Sequence, residues 1–204
     1  MYIRSKVIVG LLAFLASTLA NATLINETSD AGQSLVDALL LPGGTTGVAG
    51  QIDNDVDLFG FSLASDTDVT LSAVSGAFDM NLLVFNASGQ GLAGNDDLNR
   101  NGGCGIGARV LDSCLMLSLV AGDYFFAVGV NNVEAFDVAN NFVVGNDSGI
   151  LGTPSVNVLD NFANGQGGGA YRVSIDTPST VPAPASLALF GLALLGLRAT
   201  RRQR

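Results

Sequence analysis

"DLFGFSLASDTDVTLSAV", residues 57–74, decides the fold class. In an extended chain successive side chains point to opposite faces, so Asp57, Phe59, Phe61 and Leu63 share one side and Leu58, Gly60 and Ser62 the other. After the polar turn at Ala64–Asp66, Val69, Leu71 and Ala73 oppose Asp68, Thr70 and Ser72. A period of two predicts two half-buried strands joined by a short turn, and excludes an amphipathic helix.

The same signal continues outward. "MNLLVFN" (80–86) is apolar on both faces, as a more deeply buried strand should be, and the turn-like "ASGQG" follows it. "CLMLSLV" (114–120) and "YFFAVGV" (124–130) flank the turn "AGD" and read as a hairpin. "YRVSID" (171–176) closes the pattern with Tyr171, Val173 and Ile175 inward, and "GVAGQI" (47–52) reads as an edge strand. In "SLVDALLL" (34–41) helix and strand readings compete. Residues 131–170, rich in Asn and Gly, exceed an ordinary loop, and "NFVVG" (141–145) is the candidate strand within them. Many short strands separated by polar turns predict an all-β sandwich.

Charge is divided sharply along the chain. All eighteen acidic residues, sixteen of them Asp, fall within 23–180, where only Arg100, Arg109 and Arg172 are basic. Such a field repels nucleic acid and attracts cations, so nucleic acid is excluded as a partner. Aspartate is a poor helix former and a good turn and metal residue, which agrees with the strand pattern.

The two ends carry a different message. "MYIRSK" followed by "VIVGLLAFLASTLA" is a basic then apolar leader, and Ala20-Asn21-Ala22 fits small-x-small cleavage by signal peptidase after Ala22. This apolar run falls short of the roughly 20 residues that a spanning helix needs, which favours a removed signal helix over an anchor. At the other end Leu187–Leu197 is uninterruptedly apolar for only about 16 Å of helix, against a hydrocarbon core of about 30 Å. Pro182 and Pro184 precede it, and Arg198, Arg201, Arg202 and Arg204 follow, a basic flank that stays cytoplasmic. The division expected is therefore a signal at 1–22, one domain at 23–180 and a tail at 181–204.

That tail resembles the PEP-CTERM sorting signal of Gram-negative bacteria, in which a Pro-x-Pro motif, a short hydrophobic helix and an Arg-rich end are recognised by the membrane protease exosortase. Ala183 stands where the motif's glutamate is usual. The resemblance implies a transient inner-membrane stage, then release to the cell surface or extracellular space. An ordinary carboxy-terminal anchor is the alternative.

"ETSDAGQSL" (27–35), "DNDVDLFGFSLASDTDVTLSAVSG" (53–76), "DMNLLVFNASGQGLAGNDD" (79–97) and "LSLVAGDYFFAVGV" (117–130) together resemble the bacterial pre-peptidase C-terminal domain. That resemblance implies a jelly-roll-like β-sandwich, a non-catalytic role, and affinity for calcium or polymeric ligands, with an extracellular polysaccharide as candidate partner. The cysteine-bearing insert and the long 131–170 stretch depart from the compact family pattern.

Asp53, Asp55 and Asp57 alternate, so in an extended segment their carboxylates project to one side and could gather a hard cation such as calcium. Asn95, Asp96 and Asp97 would join them if the fold brought both loops to one end. Cys104 and Cys114, in an exported chain, are expected to form a disulfide worth about 3 kcal/mol. The sequence has no histidine, which closes Ser-His-Asp triads, Cys-His dyads and His-based zinc sites. Carboxylate glycoside hydrolysis stays chemically open, but no distinguished Asp pair marks it, so no catalytic residue is assigned.

Overall fold

The computed structural model describes residues 23–97, 104, 111–163 and 166–177, all within one compact unit, Asn21–Pro178. The signal and tail helices expected at the two ends lie outside these residues. Among the described residues there is no helix and none long and apolar enough to cross a membrane.

Fourteen strands run in chain order: β1 (Thr23–Asn26), β2 (Leu39–Leu40), β3 (Thr45–Asp53), β4 (Asp57–Leu63), β5 (Thr67–Ser75), β6 (Met80–Asn86), β7 (Gly91–Asn95), β8 (Ser113–Leu119), β9 (Gly122–Val130), β10 (Glu134–Phe136), β11 (Phe142–Gly145), β12 (Gly149–Ile150), β13 (Asn161–Ala163) and β14 (Gly168–Asp176). They form a five-stranded sheet, β1-β3-β14-β5-β8, a six-stranded sheet, β12-β7-β6-β9-β4-β2, and a small sheet, β11-β10-β13. From β3 to β9 the chain passes repeatedly between the two larger sheets, in jelly-roll fashion, and a β-sandwich results.

The main core lies between the two large sheets. Val48 and Ile52 of β3, Val69 and Leu71 of β5, Leu115 of β8 and Val173 of β14 meet Phe59 of β4, Leu82 of β6 and Phe126 of β9. Phe59 and Phe126 stack with centroids 5.2 Å apart. A second core covers the opposite face of the six-stranded sheet, where Leu58, Leu83, Phe85 and Ala127 pack against Val133, Ala135, Val143, Val144 and Leu159. The 131–163 stretch is thus a third layer rather than a loop, and "NFVVG" does contain a strand.

Three expectations need correction. β4 is not half-buried: residues 57–61 are buried on both faces, because the strand lies inside the six-stranded sheet and the third layer covers its second side. β8 and β9 are not a hairpin. β8 pairs with β5 and β9 with β4 and β6, so Ala121–Asp123 carries the chain from one sheet to the other. The burial pattern gives the reason: β9 is buried along Phe126–Val130 and takes a neighbour on each side, whereas β8 exposes Met116 and Ser118 and ends its sheet. β3 is not an edge strand either, since β1 runs parallel along its free side while β14 takes the other. "SLVDALLL" forms neither a helix nor a full strand; only Leu39–Leu40 pair, parallel to β4.

Candidate metal centre

Asp53, Asp55 and Asp57 do not lie along one extended segment. Asn54 adopts a left-handed backbone conformation (φ 62°), and Asp55 Oδ1 accepts a hydrogen bond from the Asp53 amide at 2.9 Å, in the turn that joins β3 to β4. Asp53 is left exposed at the end of β3, Asp55 is half-buried, and Asp57 alone is carried into the sandwich at the head of β4.

There Asp57 meets Glu27 and Asp30. One carboxylate oxygen from each of the three lies within 4.8 Å of the other two. Parallel pairing of β1 with β3 positions Glu27, whose amide then donates to Ala49 O at 2.8 Å and continues the ladder one residue past the strand. Asp30 is fixed by the following turn, its Oδ1 accepting from the Gly32 amide at 3.2 Å, while the Leu58 amide donates to Gly32 O at 3.0 Å. Gly32 sits at φ +71°, and a side chain there would run into Asp37. Tyr171, inward on β14, directs its hydroxyl to Glu27 Oε2 at 3.4 Å, and the Gln51 amide donates to the same oxygen at 3.3 Å.

Glu27 Oε1 and Asp57 Oδ2 are buried and accept no hydrogen bond. Arg172, the single basic side chain among the described residues, is exposed on β14, one residue from the inward Tyr171. Burial therefore dominates the electrostatics. It pushes the Asp57 carboxyl up to about 7, partly opposed by the Tyr171 hydroxyl and reinforced by the negative charges of Glu27, Asp55 and Asp30. Glu27 is raised for the same first reason, with the Gln51 amide opposing. The Tyr171 hydroxyl is itself pushed well above the ordinary phenol range by burial and the two carboxylates. Three carboxylates brought together, two of them with a buried oxygen that lacks a donor, fit a hard divalent cation, which would supply the missing charge and take oxygen ligands without hydrogen bonds.

Asn95–Asp97 do not reach this cluster. Leu82, the partner of Asn95, faces the main core, so Asp96 falls on the opposite side of the six-stranded sheet from Asp57. Asn95 is buried and structural: its Nδ2 donates to Cys114 O at 2.8 Å and Asp97 O at 2.6 Å, and its own carbonyl accepts from Ser113 Oγ. Cys104 and Cys114 form the expected disulfide, with Cα atoms 5.5 Å apart. Sequence reading missed Glu27 and Asp30. The available signal was that Glu27 is one of only two glutamates, in the "ETSD" segment ahead of the first long strand.

Ala20, Ala22, Pro182, Ala183, Pro184, Arg198, Arg201 and Arg202 lie outside the described residues, so the sequence itself must identify the tail. Residues 180–203 match the PEP-CTERM protein-sorting motif. The tail is a PEP-CTERM motif. It marks an exported protein of the Gram-negative type, sorted by exosortase, and the body attached to this PEP-CTERM tail is the all-β unit described above. No curated protein matches the chain. Among solved structures, the pre-peptidase C-terminal domain of a collagenase from Bacillus anthracis is similar over 76% of this chain and 97% of its own, at 13% identity and a TM-score of 0.37. CorA, a surface-associated copper-binding protein of Methylomicrobium album BG8, is similar over 69% of this chain and 97% of its own, at 7% identity and a TM-score of 0.38.

Proposed function

We propose that this protein is a non-catalytic, calcium-dependent binding or adhesion module, held briefly in the inner membrane by its tail, released by exosortase and displayed at the cell surface or in the extracellular matrix. The observation that carries the calcium reading is the convergence of the Glu27, Asp30 and Asp57 carboxylates, with a buried Asp57 oxygen that has no donor. Carboxylates in this number suit calcium, which accepts irregular oxygen cages and is abundant outside the cell. Glu27, Asp30 and Asp57 would hold the ion, and its role would be to fasten the segment after β1 to the head of β4. Two properties support a non-catalytic role: the absence of histidine and the commitment of both cysteines to a disulfide close His-based and thiol nucleophilic catalysis.

Thermal unfolding of the secreted mature chain, stripped with chelator and then supplied with millimolar calcium, tests the proposal. Calcium should raise Tm in the wild type, and Asp57→Asn should lose the part of that rise that this centre supplies. An identical Tm with chelator and with calcium would remove the reading.

A further inference from the structure

The opposite face of the six-stranded sheet carries a second convergence of oxygen-bearing side chains, unconnected with the first. Asp79 and Asn81 are two residues apart at the start of β6 and so point to one side. Asn81 pairs with Gly129 of β9. Because Leu82 pairs with Asn95, the last residue of β7, Asp96 just beyond it comes alongside Asn81. Because Met80 pairs with Val130, Asn131 comes alongside Asp79, and its amide donates to Asp79 O at 3.0 Å. Asn146, in the turn between β11 and β12, closes the group from the third layer. Its Nδ2 donates to Asp96 Oδ2 at 3.0 Å and to Asn131 Oδ1 at 3.4 Å, and Asn131 Nδ2 donates to Asp79 Oδ2 at 3.0 Å.

By register Asn81 lies on the same face, between Asp79 and Asp96, with none of its surface exposed. Its Nδ2 donates to Val133 O at 3.4 Å, but its Oδ1 is buried and accepts no hydrogen bond. A buried amide oxygen without a donor destabilises the fold, and an apolar side chain would avoid that cost. Two glycines make room for the arrangement. A Cβ on Gly129, beside Asn81, would strike Val133, and one on Gly94 of β7 would strike the Gly145 carbonyl of the third layer.

We propose that Asp79, Asn81, Asp96 and Asn131 form a second divalent-cation site of the calcium class, closed by Asn146 and independent of the Glu27–Asp30–Asp57 centre. Two carboxylates and two amide carbonyls are the oxygen donors such a cation takes, and the ion supplies the partner that Asn81 Oδ1 lacks. Bound there, it pins the third layer to the sheet through Asn131 and Asn146.

Calorimetric calcium titration of the chelator-stripped mature chain tests this assignment separately from the first. The wild type should bind two ions, and Asp57→Asn should still bind one. Adding Asn81→Leu, which keeps the branched shape and removes the oxygen, should weaken that remaining ion at least tenfold. Should the leucine variant fail to give a cooperative melt, Asn81→Asp replaces it and should bind at least several-fold tighter than Asp57→Asn alone. An Asp57→Asn protein that binds no calcium, or binds it equally well with Asn81→Leu or Asn81→Asp, overturns the second site and leaves the first standing. A wild type whose single ion is lost in Asn81→Leu but kept in Asp57→Asn does the reverse.

Discussion

The Tyr171 hydroxyl lies 3.4 Å from Glu27 Oε2 across 144 residues of sequence, tying the last strand of the sandwich to the segment that follows the first. It is the side-chain donor that reaches Glu27, and it also opposes the burial penalty on Asp57. Tyr171→Phe keeps the buried ring and deletes only this donor, so it should cost the metal-free protein about 1 kcal/mol, the usual worth of such a hydrogen bond. Tyr171→Ala, which also empties the core position, should cost about 3–5 kcal/mol. Urea unfolding of both variants in chelator checks the difference; a Tyr171→Phe variant as stable as the wild type would mean that the hydroxyl contributes nothing.

Gly50 offers a way to damage the same centre without touching a ligand. A Cβ at this position would collide with the Glu27 carboxylate and come within 2.7 Å of the Tyr171 hydroxyl. Gly50→Ala should therefore displace Glu27, reduce stability by about 1–3 kcal/mol and abolish most of the calcium-induced rise in Tm. A variant that melts lower but responds fully to calcium would show that Glu27 is not a ligand.

Stability should depend on pH through Asp57. Its folded value, about 7, exceeds the unfolded reference of 3.8, so between the two the native state holds more protons than the unfolded chain. By linkage the metal-free protein keeps this contribution in full below pH 4 and loses it as pH rises through 7, an effect of at most on the order of 4 kcal/mol. Calcium should flatten the slope by replacing the proton as partner of the carboxylate. Asp57→Asn should be more stable than the metal-free wild type at pH 8 while losing this centre's share of the calcium response. Urea midpoints at pH 5 and pH 8, with chelator and with calcium, measure all four quantities; equal metal-free midpoints in the wild type would contradict the buried-carboxylate account.

How much of this was legible beforehand follows from what each residue's neighbours are. Val69, Leu71 and Ala73 of β5 alternate with residues that face solvent, so one period of two revealed strand and face together. The apolar run of β6 likewise announced burial on both sides. β4 misled because Gly60 and Ser62 look solvent-facing, whereas Gly60 is buried beneath Leu40 of β2, a contact the local pattern does not encode. The apparent β8–β9 hairpin failed for a related reason: a two-sheet fold can spend a tight turn on crossing between layers. At the metal centre Asp57 was readable as a carboxylate on an apolar face. Its partners Glu27 and Asp30 were not, since they reach it only through the parallel pairing of β1 with β3, which leaves no periodic trace.

The disulfide is expected to support β8 and the buried Asn95. Cys114 is itself buried on β8, and its carbonyl accepts from Asn95 Nδ2, so strain at Cys114 would be felt at the end of β7. Replacing Cys104 and Cys114 together by Ser should lower stability by about 3 kcal/mol through the freed loop. Melting with and without reductant checks it: the wild type should fall toward the variant on reduction, and the variant should not move. Coincident curves under both conditions would show that the crosslink adds nothing.

Processing at the tail is open to the most direct measurement. The apolar run 187–197 is too short to anchor a helix comfortably, and the arginines after it resist crossing, so on the proposed route the precursor would be held with its acidic body outside and its end inside until it is cut. The mature mass from cells should correspond to a chain beginning at Thr23 and ending before the apolar run, with Arg198, Arg201, Arg202 and Arg204 absent. Changing those four arginines to Ala should remove the topological stop and the recognition element together, and full-length precursor should accumulate in the membrane fraction or be mis-secreted with its tail attached. Extending the apolar run to about 20 residues should instead hold the protein in the membrane even when the arginines are kept, because a full-length span anchors without help. If the released wild-type protein still carries Arg204, the tail acts as neither a temporary tether nor a cleavage signal, and the route to the surface must be sought in the acidic domain itself.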